Sequence, residues 1–166
     1  MMELKTFLSV VVVLYLFGQS DECTFIIRGP NANDPKPDLI SECIEGRILM
    51  QYPKGIIYVT FPWSLLPEET RWAKVCLKKI GQGVFSATDI TKGYNQTMDF
   101  SRSNGARYYS VFDWVCTKSH LIETASSWTR FYPIGSKGIQ LALDFGERVL
   151  WNLMVIQYKM EEAERP

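Results

Sequence analysis

Short strand-like runs separated by turn residues are the feature that most constrains the fold of this chain. Residues 46–51 precede a Tyr-Pro-Lys-Gly turn and residues 56–61, which predicts a hairpin with a four-residue connection. Residues 71–80 alternate apolar and charged side chains with the period of a strand. Residues 138–145 alternate in the same way, and residues 150–158 follow after a turn, which predicts a second hairpin. Many short strands at roughly ten-residue spacing predict an all-β fold, an antiparallel β-sandwich.

The first twenty residues indicate the cellular compartment of the chain. Lys5 precedes an apolar run over residues 7–17, and the small residues Gly18 and Ser20 follow it. A helix of that run reaches only about 16 Å, roughly half of a bilayer core. We therefore expect a signal peptide at residues 1–20, a mature chain that starts near Asp21 and a secreted, extracellular protein. The alternative is an uncleaved N-terminal anchor.

The remaining chain has the size of one domain. We expect this domain at residues 21–158 and a charged C-terminal tail at residues 159–166. The full sequence carries 18 basic and 18 acidic residues, scattered along the chain. This pattern argues against a nucleic-acid partner, which would require a basic stripe. No other apolar run approaches the length of a membrane span, so we expect no membrane insertion.

Four cysteines, Cys23, Cys43, Cys76 and Cys116, follow the predicted signal peptide. An even number in an oxidising compartment predicts two disulfides, although spacing alone does not choose among the three pairings. The sequence contains no Cys-x-x-Cys motif and a single histidine, so we expect no zinc site, no other metal and no cofactor.

The single histidine, His120, is also the only candidate for a general base. It lies beside Ser119, but sequence neighbours rarely form a catalytic triad, and no Gly-x-Ser-x-Gly motif is present. We interpret His120 as an ordinary surface histidine on a loop and expect no enzymatic activity.

Asn95 begins an Asn-Gln-Thr sequon within a polar stretch. In a secreted protein, such a sequon on a surface loop predicts an N-linked glycan. A glycan at Asn95 would require this loop to face solvent, outside the centre of any partner interface.

Aromatic residues are numerous, and some of them are candidates for contact with a partner. Along residues 106–116, Tyr108, Phe112 and Trp114 share one face of a predicted strand, as core residues do. Trp63 and Trp128 are flanked by proline or hydroxyl residues and are the expected exposed rings. A short helical turn is expected near residues 64–70. The predicted partner-binding residues are Trp63, Leu65, Leu66, Trp128, Arg130 and Tyr132.

One part of the sequence resembles a known family. Cys43-x-x-Gly46-x-Ile48 leads through Tyr52-Pro53-x-Gly55 and Ile57-x-Val59 to Val75-Cys76. This pattern resembles the N-terminal part of the meteorin family, secreted factors whose first domain is a CUB-like β-sandwich. The last two strand-like runs resemble the closing hairpin of CUB-like domains. The resemblance implies the disulfides Cys23–Cys43 and Cys76–Cys116. Meteorins also contain a second cysteine-bearing domain, for which this sequence has no counterpart.

These features favour a secreted, non-enzymatic ligand or modulator that binds a receptor or another extracellular protein through the loops of the sandwich. One alternative is a carbohydrate-binding module of innate defence, in which Trp63 and Trp128 would stack on sugar rings of a glycan partner. Another is an adhesive structural or reproductive protein, because one sandwich fold serves many functions.

Overall fold

The computed structural model describes residues 23–28, 38–80, 84–100, 114–122, 137–147 and 153–166. Within these ranges the chain forms eleven strands and two short 3-10 helices, at Trp63–Leu65 and Thr91–Gly93. The strands are β1 (Cys23–Arg28), β2 (Asp38–Ile40), β3 (Glu45–Gln51), β4 (Ile56–Pro62), β5 (Trp72–Ile80), β6 (Ser86–Asp89), β7 (Gln96–Met98), β8 (Val115–Cys116), β9 (His120–Leu121), β10 (Gly138–Asp144) and β11 (Leu153–Glu162).

The strands form two sheets that pack face to face. Sheet A has the order β1-β3-β11-β5-β8, with β9 also paired to β5, and sheet B has the order β2-β4-β10-β6-β7. Alternate side chains of the long strands point inward, as in β4, where Ile57, Val59 and Phe61 are buried. The predicted β-sandwich is confirmed.

The sheets are mixed rather than antiparallel, because β1 pairs in parallel with β3 and β2 pairs in parallel with β4. The chain alternates between the sheets over these four strands. As a result, strands two apart in sequence become parallel neighbours within one sheet. The predicted hairpin of residues 46–51 and 56–61 is therefore wrong: β3 lies in sheet A and β4 in sheet B.

The second predicted hairpin is wrong for the same reason. Strand β10 lies in sheet B, whereas β11 lies in sheet A between β3 and β5. The connection between β3 and β4 packs beside the residues that directly follow β10. The Gly55 N–H donates to the Gly146 carbonyl at 2.7 Å, and the Phe145 N–H donates to the Gly55 carbonyl at 2.9 Å. Both glycines have positive φ, which the reversals require.

A buried tyrosine organises the core near one end of sheet A. The Tyr158 ring packs edge-on against Phe61, and its hydroxyl forms a 3.0 Å hydrogen bond with Ser41 Oγ. Burial raises the pKa of Tyr158, although the Ser41 hydrogen bond acts in the opposite direction. Gly46 lets this hydroxyl and the Cys23 carbonyl approach closely, because a Cβ atom there would overlap both.

Both implied disulfides are present, Cys23–Cys43 and Cys76–Cys116. The first joins β1 to the turn before β3. The second joins register partners on β5 and β8. Two disulfides indicate an oxidising environment. Among the described residues, no helix is both long and apolar enough to cross a membrane.

Some boundaries differ from the sequence expectations. Strand β11 continues to Glu162 along β5, so the first four residues of the predicted tail, residues 159–162, belong to the sheet. The predicted helical turn is a 3-10 turn that starts one residue earlier, at Trp63. Of the predicted strand over residues 106–116, the structure describes only its end, which includes β8; the rest lies outside the described residues. The prediction that Trp114 faces the core is wrong, because its ring lies against Lys78 and Lys159, whose side chains point away from the core of the sandwich.

Candidate functional site

The predicted partner-binding residues do not form an exposed site in the described part of the chain. Trp63 is only 9 % exposed and belongs to the core, so the prediction of an exposed ring is wrong. The 3-10 turn after Pro62 brings this indole onto the end of the sandwich core. Leu65 and Leu66 are partly buried against the same core. The other three predicted contacts lie outside the described residues: Trp128, Arg130 and Tyr132.

A buried acid–histidine pair joins the two sheets instead. Asp89 ends β6 in sheet B and is 2 % exposed, whereas His120 begins β9 in sheet A and is 8 % exposed. The distance between Asp89 Oδ2 and His120 Nε2 is 2.6 Å. The interpretation of His120 as a surface loop histidine is wrong, because its ring points into the sandwich and finds a carboxylate there.

Thr91 completes the hydrogen bonding of this carboxylate. Its N–H and its hydroxyl both donate to Asp89 Oδ1, at 3.1 and 2.6 Å. Thr91 Oγ1 in turn accepts the N–H of Gln140 on β10, at 3.0 Å. The Tyr94 ring contacts the His120 ring edge to face, with centroids 5.7 Å apart. The network therefore connects β6, β9, β10 and the 3-10 turn between β6 and β7.

The hydrogen bonds outweigh burial in setting the ionisation of Asp89. Burial by itself raises the pKa of this carboxyl, but the bonds from His120 and Thr91 stabilise the carboxylate, and the pKa lies below its ordinary value. An ionised carboxylate only accepts, so His120 Nε2 carries the shared proton. Among the described residues, the hydrogen bonds of the His120 ring go to Asp89 alone. This arrangement is suited to holding the two sheets together.

The sequence of β6 itself contains a signal for the role of Asp89. In β6, Ala87 and Asp89 share the inward face, so a carboxylate occupies a position that alternation assigns to the core. A buried carboxylate requires hydrogen-bond donors, and Thr91, two residues later, supplies two of them. His120 could not have been identified as the third partner, because it comes from the other sheet.

An apolar row crosses the outer face of sheet A. Ile26, Leu49, Val155 and Ile80 are register partners on four neighbouring strands, β1, β3, β11 and β5. Their positions alternate with the buried residues of the same strands, so their side chains point away from the core. Ile26, on the edge strand, is 60 % exposed, and the other three are half-buried.

The two outer faces also differ in charge. The outward positions of the three described strands β3, β5 and β11 of sheet A carry four basic residues and two acidic ones. These six residues are Arg47, Lys74, Lys78, Lys159, Glu45 and Glu161. The five strands of sheet B contain no lysine or arginine, and its outer face carries Asp38 and Asp144. The charges of a neutral chain are therefore distributed unevenly between the faces.

Asn95 is exposed in the turn before β7, the edge strand of sheet B. The sequon is therefore accessible, and it lies on the side of the sandwich that does not carry the apolar row.

Comparison with known proteins does not assign the chain to a family: no protein-family model matches it, and no curated protein matches its sequence. Within the described ranges, no three histidine, cysteine, aspartate or glutamate residues form a group that could hold a metal ion.

Proposed function

We propose that this chain is a secreted, non-enzymatic protein that binds another extracellular protein through the outer face of sheet A. The observation that carries the proposal is the apolar row formed by Ile26, Leu49, Val155 and Ile80. The resemblance to the first domain of meteorins implies a ligand of this general kind. The disulfides support an extracellular site of action.

The dimensions of the row suit a protein partner. Neighbouring strands lie about 4.8 Å apart, so four strands make a row about 14 Å wide. Leu153 on β11 extends the apolar surface beyond Val155 and is itself exposed. Contiguous exposed apolar surface on a small protein commonly marks an interaction site, and the centres of interfaces are depleted in charge.

A glycan on Asn95 is part of the same proposal. Attached before β7, it would cover the edge of sheet B. The backbone N–H and C=O groups of this edge strand could otherwise pair with a strand of another chain. It would leave the outer face of sheet A accessible to a partner.

The experiment is a binding screen of the labelled mature chain, residues 21–166, against purified receptor ectodomains and against a panel of neutral polysaccharides. We expect saturable binding to a protein and none to the neutral sugars. Ile26→Ser should weaken the protein interaction about tenfold, because it removes an apolar side chain from the row.

The chain offers a closely matched control. Ile40 is 63 % exposed on β2, the parallel edge strand of sheet B, as Ile26 is 60 % exposed on β1 of sheet A. Ile40→Ser should leave binding unchanged. Equal weakening by both variants, or binding to a neutral polysaccharide instead of a protein, would contradict the proposal.

A further inference from the structure

We propose that the outer face of sheet A also carries a binding site for a sulfated polysaccharide, centred on Trp114. This site, the Trp114 cluster, consists of Trp114, Lys78, Lys159, Lys74 and Arg47. It lies beside the apolar row and does not depend on the protein interaction proposed above.

Two ammonium groups are held at a single ring. The Lys159 Nζ atom lies 4.6 Å from the centroid of the Trp114 ring, and the Lys78 Nζ atom lies 5.8 Å from it. Lysine side chains are otherwise mobile, and a cation–π contact restricts them. Trp114 is therefore a positioning residue that keeps two positive charges close together on the sheet surface.

The other two cations extend the cluster in two directions. Arg47 and Lys78 are both register partners of Gln157, so they lie two strands apart, about 10 Å. Lys74 lies four residues before Lys78 on the same strand, about 13 Å away. The charges therefore spread along and across a flat surface.

The acidic residues of this face reduce its charge without reversing it. Glu161 lies 3.4 Å from Lys74 and 3.5 Å from Lys159, and Glu45 is the register partner of Lys159. On the outward positions of β3, β5 and β11, four cations and two carboxylates leave a formal charge of 4 − 2 = +2. Sheet B presents Asp38 and Asp144. A polyanion is therefore attracted to sheet A and repelled from sheet B.

The shape of the face favours an extended polymer over a folded acidic protein. The cations are distributed on a twisted sheet, with Arg47 about 10 Å and Lys74 about 13 Å from Lys78 in different directions. An extended sulfated chain can follow such a surface and present an anionic group to each cation in turn. Sulfated polysaccharides are ligands of the extracellular environment that the two disulfides indicate.

The test measures binding of the mature chain, residues 21–166, to immobilised heparin as the sulfated probe, over a range of sodium chloride concentrations. We expect retention that weakens steeply with salt. The double variant Lys78→Gln/Lys159→Gln should reduce affinity about tenfold. Trp114→Ala should reduce it severalfold, and Trp114→Phe, which keeps an aromatic face, should restore part of the loss.

The matched control removes the same charge elsewhere. Lys54 and Lys92 are exposed outside sheet A, in the β3–β4 connection and in the 3-10 turn after β6. Lys54→Gln/Lys92→Gln should retain the wild-type affinity. The lysine variants keep the proposal testable if Trp114→Ala fails to fold, which circular dichroism would reveal.

Several results would overturn the assignment. These are no retention on heparin, equal losses in the two double variants, or equal binding to desulfated heparin. Retention on immobilised polyglutamate but not on heparin would also overturn it and would point to an acidic protein partner.

Discussion

Replacing Asp89 by alanine should destabilise the sandwich more than any comparable surface change. The carboxylate accepts three hydrogen bonds, two from Thr91 and one from His120, and it joins residues of opposite sheets. Alanine removes the acceptor and leaves its donors buried. The Thr91 hydroxyl can rotate toward another acceptor, but the Thr91 N–H and the His120 Nε2–H are fixed.

The magnitude follows from these two fixed donors. A buried donor without an acceptor costs about 1–3 kcal/mol, so two of them should lower the free energy of unfolding by about 4 kcal/mol. Domains of this size are commonly stable by only about 5–15 kcal/mol, so the variant should lose a large part of its stability. Asp89→Asn keeps one oxygen for Thr91 and should cost about 2 kcal/mol.

Urea unfolding at pH 7, followed by tryptophan fluorescence and far-ultraviolet circular dichroism, measures this loss. Asp38→Ala is the control, because it removes an exposed carboxylate from the same sheet and should change stability by less than about 0.5 kcal/mol. In a double-mutant cycle, the variant Asp89→Ala/His120→Leu should lose less unfolding free energy than the two single variants lose in sum. The difference should be at least about 1 kcal/mol. A loss below about 1 kcal/mol for Asp89→Ala, or strict additivity with His120→Leu, would refute the role assigned to the pair.

Three further predictions concern the same fold. Gly46→Ala should destabilise it by at least about 2 kcal/mol in the same urea assay, because a Cβ atom there overlaps the Tyr158 hydroxyl. Unchanged stability would show that β3 and β11 can move apart to accommodate the methyl group. Cys76→Ser should release one titratable thiol at Cys116, and it should lower the free energy of unfolding by about 4 kcal/mol because the disulfide closes a span of 40 residues. An unreactive thiol would contradict the pairing. The Asp89 carboxyl has a lowered pKa in the folded protein, so its contribution is complete above the ordinary carboxyl range near pH 4 and is lost as the pH falls through the lower folded value. The stability difference between wild type and Asp89→Asn should therefore shrink from pH 6 to pH 2, and a constant difference would argue against this titration.

Much of the strand content could be predicted from the sequence. The runs that became β3, β4, β5 and β10 were recognisable because apolar side chains alternate along them and turn residues bound them. Alternation does not distinguish a neighbour in the same sheet from a neighbour across the core, since both arrangements bury the same side chains. Both predicted hairpins failed for this reason.

The candidate sites were less accessible to sequence reasoning. The residues that flank Trp63 predict an exposed ring, but a 3-10 turn directs this ring to the core. The apolar row and the Trp114 cluster each combine residues from strands far apart in sequence. Only the register between β3, β11 and β5 brings these residues together.

The sequence by itself determined which side chains of each long strand face the core and indicated an oxidising environment for its cysteines. Both are local properties, set by a period of two residues and by the cysteines present. The tertiary structure decided which sheet each strand joins, because backbone hydrogen bonding is the same for any strand of suitable length. It thereby placed His120 against Asp89 and concentrated the basic residues on one face.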